Sequence, residues 1–142
     1  VTGKLEQVTQ KIIDILKADS KLSSIQFFFG PPLTRKTPFI YVSWMGGPVS
    51  QVTIKTQRWR HRWQIIVVDS SKTDDVAEKS VMEKIQRIYE VLKDNFTLNG
   101  AVANSRPVEM VGETVTIGTE WAKPTMILAG ARLVLECDIE WG

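Results

Sequence analysis

Histidine and cysteine each occur only once in the 142 residues, as His61 and Cys137. One of each cannot supply a zinc set or an internal disulfide, and a Ser-His-Asp or Cys-His arrangement would have to run through His61. Cys137 falls on the apolar side of its strand, where a buried inert thiol is the default. The motifs GxSxG and GxxxxGK[ST] are absent, and Gly46-Gly47 precedes a proline rather than a helix, so it marks a turn. No apolar run approaches the ~20 residues of a membrane span. The first ten residues, VTGKLEQVTQ, lack the charged and apolar regions of a signal peptide. These absences lead us to expect a protein assembled in a cytosol, without a membrane, metal or cofactor and without enzymatic activity. No repeat, low-complexity tract or linker divides the chain, which suggests one domain over residues 1–142. A chain of this length can bury roughly 68% of its unfolded surface.

Acidic residues are missing from a long segment. Residues 20–68 contain no Asp or Glu, while Lys21, Arg35, Lys36, Lys55, Arg58, Arg60 and Arg62 make the segment strongly basic; all 16 acids lie outside it. Such a split suggests internal pairing, or copies that meet basic surface to acidic surface. It points less to nucleic acid, because the basic residues are partly interleaved along a strand rather than clustered.

The pattern of residues 57–69, QRWRHRWQIIVVD, organises the rest. In a strand, alternate side chains face opposite ways, which sorts Trp59, His61, Trp63, Ile65 and Val67 from Arg58, Arg60, Arg62, Gln64, Ile66 and Val68. Successive arginines then stand ~6.6 Å apart. Residues 131–141, ARLVLECDIEW, alternate in the same way, with Leu133, Leu135, Cys137, Ile139 and Trp141 opposite Glu136, Asp138 and Glu140. An arginine comb and a carboxylate comb of equal period are complementary.

Taken in order, Leu5, Val8, Ile12, Ile15 and Leu16 predict an amphipathic helix over residues 2–18, with Thr2 as N-cap. Residues 25–29 (IQFFF) read as a buried strand stopped by Gly30-Pro31-Pro32. Residues 39–45 (FIYVSWM), apolar on both faces, read as a strand central in a covered sheet. Residues 48–56 form either the first half of a hairpin or an overhanging strand. A second helix is predicted over residues 74–95, with Val81, Ile85, Ile88 and Leu92 on its stripe, Ala77 and Tyr89 beside it, and Asp75 and Glu78 at capping-box spacing. Residues 96–107 read as a loop, residues 108–118 as a strand weakened by Gly112, residues 119–125 as a turn, and residues 126–141 as the last strand. The expected fold class is α+β, a single mostly antiparallel sheet with two amphipathic helices on one face.

The arginine comb could face phosphates. A cross-strand or inter-subunit ladder with Glu136, Asp138 and Glu140 fits better, because a nucleic-acid surface does not usually sit beside a comb of carboxylates. Those carboxylates span ~13 Å along the strand, too far to hold one ion without help from loops. His61 lies between two tryptophans on the apolar face, which suits a satisfied or edge-buried imidazole rather than a base. Trp44, Trp59 and Trp63 read as core. Trp121, in the turn with Lys123, and Trp141 are better placed for a protein contact. The interface candidates are therefore Lys55, Arg58, Arg60 and Arg62, the carboxylates Glu136, Asp138 and Glu140, and Trp121, Lys123 and Trp141.

In this order of elements the chain resembles the tail terminator and tail-completion proteins of long-tailed bacteriophages. The resemblance is carried by the opening helix VTQKIIDILK, the proline-led strand PFIYVSW, the basic and aromatic strand RWRHRWQIIVVD, the helix DDVAEKSVMEKIQRIYEVL and the closing ARLVLECDIEW. It covers nearly the whole chain and rests on architecture, with no catalytic signature. It implies a virion structural protein forming a ring, usually of six copies, at the head-proximal end of the tail tube. Such a ring ends tube polymerisation and meets tube protein on one side and a neck or head-completion protein on the other, with DNA passing the lumen without specific binding. The segments 46–56, 97–107 and 119–125 would supply those contacts. The alternatives are a neighbouring neck or head–tail connector protein, a nucleic-acid-binding β-sheet domain using Lys55, Arg58, Arg60 and Arg62, and a small enzyme built on His61 or the C-terminal carboxylates.

Overall fold

The helical stripe of the first segment closes on a sheet. The computed structural model describes residues 3–32, 36–51, 55, 57–71, 75–117 and 126–141, leaving aside the side chains of 113–117, 126, 127 and 141. Helix α1 runs Lys4–Lys17 and buries Val8, Ile12, Ile13, Ile15 and Leu16. Gly3, in extended conformation, takes the cap position; Thr2, the expected cap, lies outside the described residues. Helix α2 runs Val76–Asp94 and buries the predicted stripe of Val81, Ile85, Ile88 and Leu92, together with Ala77. Asp75 is its N-cap without a side-chain cap bond. The expected capping box does not form, because the Asp75 carboxylate reaches Lys79 Nζ at 2.8 Å, one turn on.

The strands are β1 Gln26–Phe29, β2 Phe39–Gly46, β3 Val49–Gln51, β4 Gln57–Ser71, β5 Asn104–Ile117 and β6 Met126–Trp141. They form one open sheet in the order β1-β2-β4-β6-β5, with β3 also pairing β4. Only β1 and β2 run parallel; the other pairs are antiparallel. The two helices and this mostly antiparallel sheet are the expected α+β class. β3 folds back on β4 with Val49 opposite Trp59, so residues 48–56 begin a hairpin rather than an overhang. Between β2 and β3, Gly47 has φ +157°, and a Cβ there would stand 2.2 Å from the Arg60 carbonyl oxygen. Only glycine lets the two backbones approach so closely.

Both helices lie on the sheet face made by Trp63, Ile65, Leu133 and Leu135, all fully buried. Trp63 anchors α1 directly: its indole N–H donates to Thr9 Oγ1 at 2.8 Å, and the Thr9 hydroxyl in turn donates to the Leu5 carbonyl at 2.9 Å. Both polar atoms are thereby satisfied inside the core, where an unpaired N–H is costly. Beyond the end of α1, Asp19 takes the fork of Arg87 on α2. The Arg87 hydrogen bond holds the Asp19 carboxyl below its ordinary pKa against the opposing effect of burial.

Three sequence expectations are corrected. β1 is a half-exposed edge strand, with Phe29 largely in solvent, and not a buried one. β2 is apolar on both faces but covered on one: Ile40 and Val42 are buried, while Phe39 and Tyr41 are only partly so. Among the described residues the helices form one layer, so the second face of β2 meets no cover. Residues 104–107, read as loop, belong to β5, where a register shift between Pro107 and Glu109 absorbs the proline.

Candidate interaction surface

The sheet face away from the helices begins with the two combs. β4 and β6 pair along the whole of β4, with Arg58 opposite Glu140, Arg60 opposite Asp138 and Arg62 opposite Glu136. Every one of these pairs closes within the chain. Arg58 Nη2 donates to Glu140 Oε1 at 2.8 Å, Arg60 Nε to Asp138 Oδ1 at 2.9 Å, and Arg62 Nε to Glu136 Oε2 at 3.1 Å.

A fourth cation, unforeseen in the sequence, completes the arrangement. Arg106 of β5 lies opposite Glu136 on the other side of β6. It donates through Nη1 to Asp138 Oδ2 at 3.1 Å and through Nη2 to Glu136 Oε1 at 2.5 Å. Glu136 and Asp138 are therefore clasped from both sides, and their side chains are only 13% and 16% exposed. Burial pushes both carboxyl groups up, but hydrogen bonds and charge from Arg106 and from the β4 arginines outweigh it, so both pKa values lie below the ordinary range. The hydrogen bonds from Arg106 to Asp138 and Glu136 raise its own pKa in turn. The signal for Arg106 was the alternation of Asn104 and Arg106 in phase with the carboxylates, hidden behind Asn99-Gly100 and Pro107.

Further along the same face the charges give way to apolar groups. Tyr41, Ile66, Val68, Val111 and the stem of Arg132 line a shallow depression of about 330 Å³. Phe39 stacks on Tyr41 at 6.4 Å between ring centroids, and Phe28 meets Phe39 edge-on at 6.2 Å. Among the described residues no helix covers this face. The face thus joins an ion-pair lattice of four arginines and three carboxylates to a partly exposed aromatic and aliphatic patch.

His61 lies on the opposite face, where the helices no longer reach. It is buried, stacks on Trp59 at 5.3 Å, and accepts the Trp44 indole N–H at Nδ1. Its Nε2 is buried and makes no hydrogen bond of good geometry among the described residues. Trp44, read as core, is 50% exposed, because β2 runs past the helices. Trp63 is core as expected, and Trp59 packs against the core's margin.

Among the remaining sequence candidates, Lys55 is exposed between β3 and β4. Trp141 pairs with Gln57 through the backbone, and its side chain is not described. Trp121 and Lys123 lie outside the described residues. Among the described residues, no three His, Cys, Asp or Glu side chains are grouped to hold a metal ion. Compared with models of known protein families and with curated proteins, the chain matches none.

Proposed function

We propose that this chain is a ring-forming structural subunit of a phage-like tail, the terminator that caps the head-proximal end of the tail tube. The observation that carries this is the sheet face that no helix covers among the described residues, where an aromatic and aliphatic patch adjoins charges largely paired within the chain. Such a surface has little left to offer a phosphate backbone and much to offer another protein, since contact patches combine apolar area with low net charge at their centre. The resemblance of the order and pattern of the elements to those of tail terminator and tail-completion proteins supplies the rest of the support. The partners are further copies of the chain, the tube protein, and a neck or head-completion protein, with DNA passing through the lumen without specific recognition. Its place is the virion tail or neck, assembled in the host cytoplasm.

Light scattering followed by negative-stain imaging tests this directly. A closed ring of about six copies with a central hole, which blocks further growth when added to polymerising tube protein, supports the terminator. A ring that leaves tube growth untouched favours a neighbouring neck or connector protein. A nucleic-acid-binding sheet is the rival of another class, for which Arg58, Arg60 and Arg62 remain half exposed. Tight binding to DNA or RNA that weakens steeply with salt would favour it over the ring.

A further inference from the structure

Residues 44–51 lie as a strap across His61. The register of β2 against β4 shifts between Trp44 and Gly46, and Gly46 and Gly47 follow with φ +83° and +157°. Here the chain leaves β2 and returns to β4 as β3, whose three residues are all exposed. At one end the Trp44 indole N–H donates to His61 Nδ1 at 3.2 Å. In the middle the Gly47 backbone lies so close to the imidazole that a Cβ there would stand 2.9 Å from His61 Cδ2. Beyond it the Arg60 N–H donates to the Pro48 carbonyl at 3.1 Å, and Val49, Ser50 and Gln51 register with Trp59, Arg58 and Gln57.

The space under the strap suits a neutral ring. His61 is 4% exposed, with Trp59 and Trp63 of β4, Trp44 of β2 and Cys137 of β6 as its neighbours. The thiol of Cys137 stays uncharged, since burial pushes its pKa up to about 12. Among the described residues no charged side chain acts on His61 from any element packed against it. The stacked Trp59 ring and the Gly47 backbone favour a cation, but neither accepts a proton at Nδ1, which faces the Trp44 donor.

We infer that the strap is an acid-released latch: protonation of His61 at Nδ1 breaks the bond from Trp44 and lifts residues 44–51 off β4, while the helix-covered core stays closed. The core is held separately, through the Trp63 indole bonded to Thr9 of α1. Gly46 and Gly47 supply the hinge, and a three-residue strand in solvent is among the elements that open most easily. Lifting lets water reach the imidazolium and bares the backbone edge of β4 at residues 57–59. The latch thus controls a strand edge, covered at neutral pH and open in acid. The open form binds the proton better than the closed one, so the open-to-closed ratio rises as pH falls below ~6.5, by at most about tenfold per pH unit. The device is independent of the ring proposed above.

Hydrogen exchange followed by NMR on the full chain between pH 7.5 and 5 tests this, with rates expressed as protection relative to an unstructured chain at the same pH. The Trp44 indole N–H and the Arg60 amide are expected to lose roughly tenfold in protection in step with titration of the His61 ring, while the Trp63 indole N–H keeps its own. His61→Gln should make the protection of the Arg60 amide independent of pH. Gly47→Ala, which forces a methyl group against the imidazole, should open the strap already at pH 7.5 with the Trp63 indole still protected. If Gly47→Ala fails to fold by circular dichroism, the wild-type titration decides alone. Trp44 and Trp63 losing protection together, or a His61 ring that titrates while the strap stays protected, overturns the latch.

Discussion

The indole N–H of Trp44 donates to Nδ1 of His61 at 3.2 Å, from a ring half in solvent to one almost wholly buried. An indole can only donate, so Nδ1 must be unprotonated while the bond exists. The imidazole is therefore neutral and carries its proton on Nε2. Burial pulls the His61 pKa below its ordinary value, against the opposing effect of the Gly47 backbone.

Stability is expected to fall as the medium becomes mildly acidic. In the unfolded chain the imidazole takes up a proton near pH ~6.5, while in the folded chain it resists until a lower pH. The unfolded state then binds more protons, and the melting temperature declines from pH 7 downward, levelling once pH passes the folded pKa. The lowered carboxyl groups of Asp19, Glu136 and Asp138 act in the same direction but below the ordinary carboxylate range, so the two effects separate in pH. Thermal unfolding between pH 8 and 5 should show a shallower slope for His61→Gln. An equal slope in both proteins would remove His61 as its source.

Arg106 is expected to matter more than its position at the edge of the sheet suggests. Arg106→Ala leaves Glu136 and Asp138 with one arginine each, in a place where water reaches them poorly, at a cost of ~1–3 kcal/mol. Arg106→Lys should recover only part of this, because one ammonium cannot span two carboxylates as the guanidinium fork does. Arg58→Ala, whose partner Glu140 is half in solvent, should cost less than Arg106→Ala in urea titrations.

The bond between Trp63 and Thr9 can be measured by a double-mutant cycle. Thr9→Val keeps the volume but leaves the buried indole N–H without an acceptor, an expected loss of ~1–3 kcal/mol. Trp63→Phe loses both contact and bond. Combining the two should cost less than the sum, since the orphaned donor disappears with the ring. Strict additivity would mean that the bond contributes nothing.

Cys137 should be inert until the protein unfolds. It is buried, and burial, assisted by the Asp138 charge, pushes its thiol pKa up to about 12. Only the thiolate attacks, so labelling by a thiol reagent at pH 8 is expected to follow the rate of opening rather than reagent concentration. Fast labelling of native protein would contradict the burial.

The sequence made the central pair of strands readable because two period-two patterns of opposite charge lie on it. Their alternation predicted Arg58, Arg60 and Arg62 against Glu136, Asp138 and Glu140, and the register matches residue for residue. It left open whether the pairs close within one subunit, since charge period alone carries no information about which chain supplies the partner. Arg106 was missed because turn residues on either side outweighed two residues of alternation. Trp44 was misplaced for a different reason: hydrophobicity shows what could be buried, whereas the reach of the helices decides what is. The Asp75 cap failed where a lysine one turn away competed for the same carboxylate.

The placement of β6 bears on when this protein can acquire its shape during synthesis. It is the last element in order, yet it lies between β4 and β5 and forms the middle of the sheet. Until residues 126–141 have left the ribosome, Arg58, Arg60 and Arg62 have no carboxylates to meet, and Trp63 and Ile65 lack their neighbours Leu135 and Leu133. Until then β4 presents an unpaired edge, and β5, whose ladder partner is β6, has no place in the sheet, a state that invites pairing with other chains. Charged side chains on an edge strand oppose such pairing, and Arg58, Arg60 and Arg62 supply them on β4 until the carboxylates of β6 arrive.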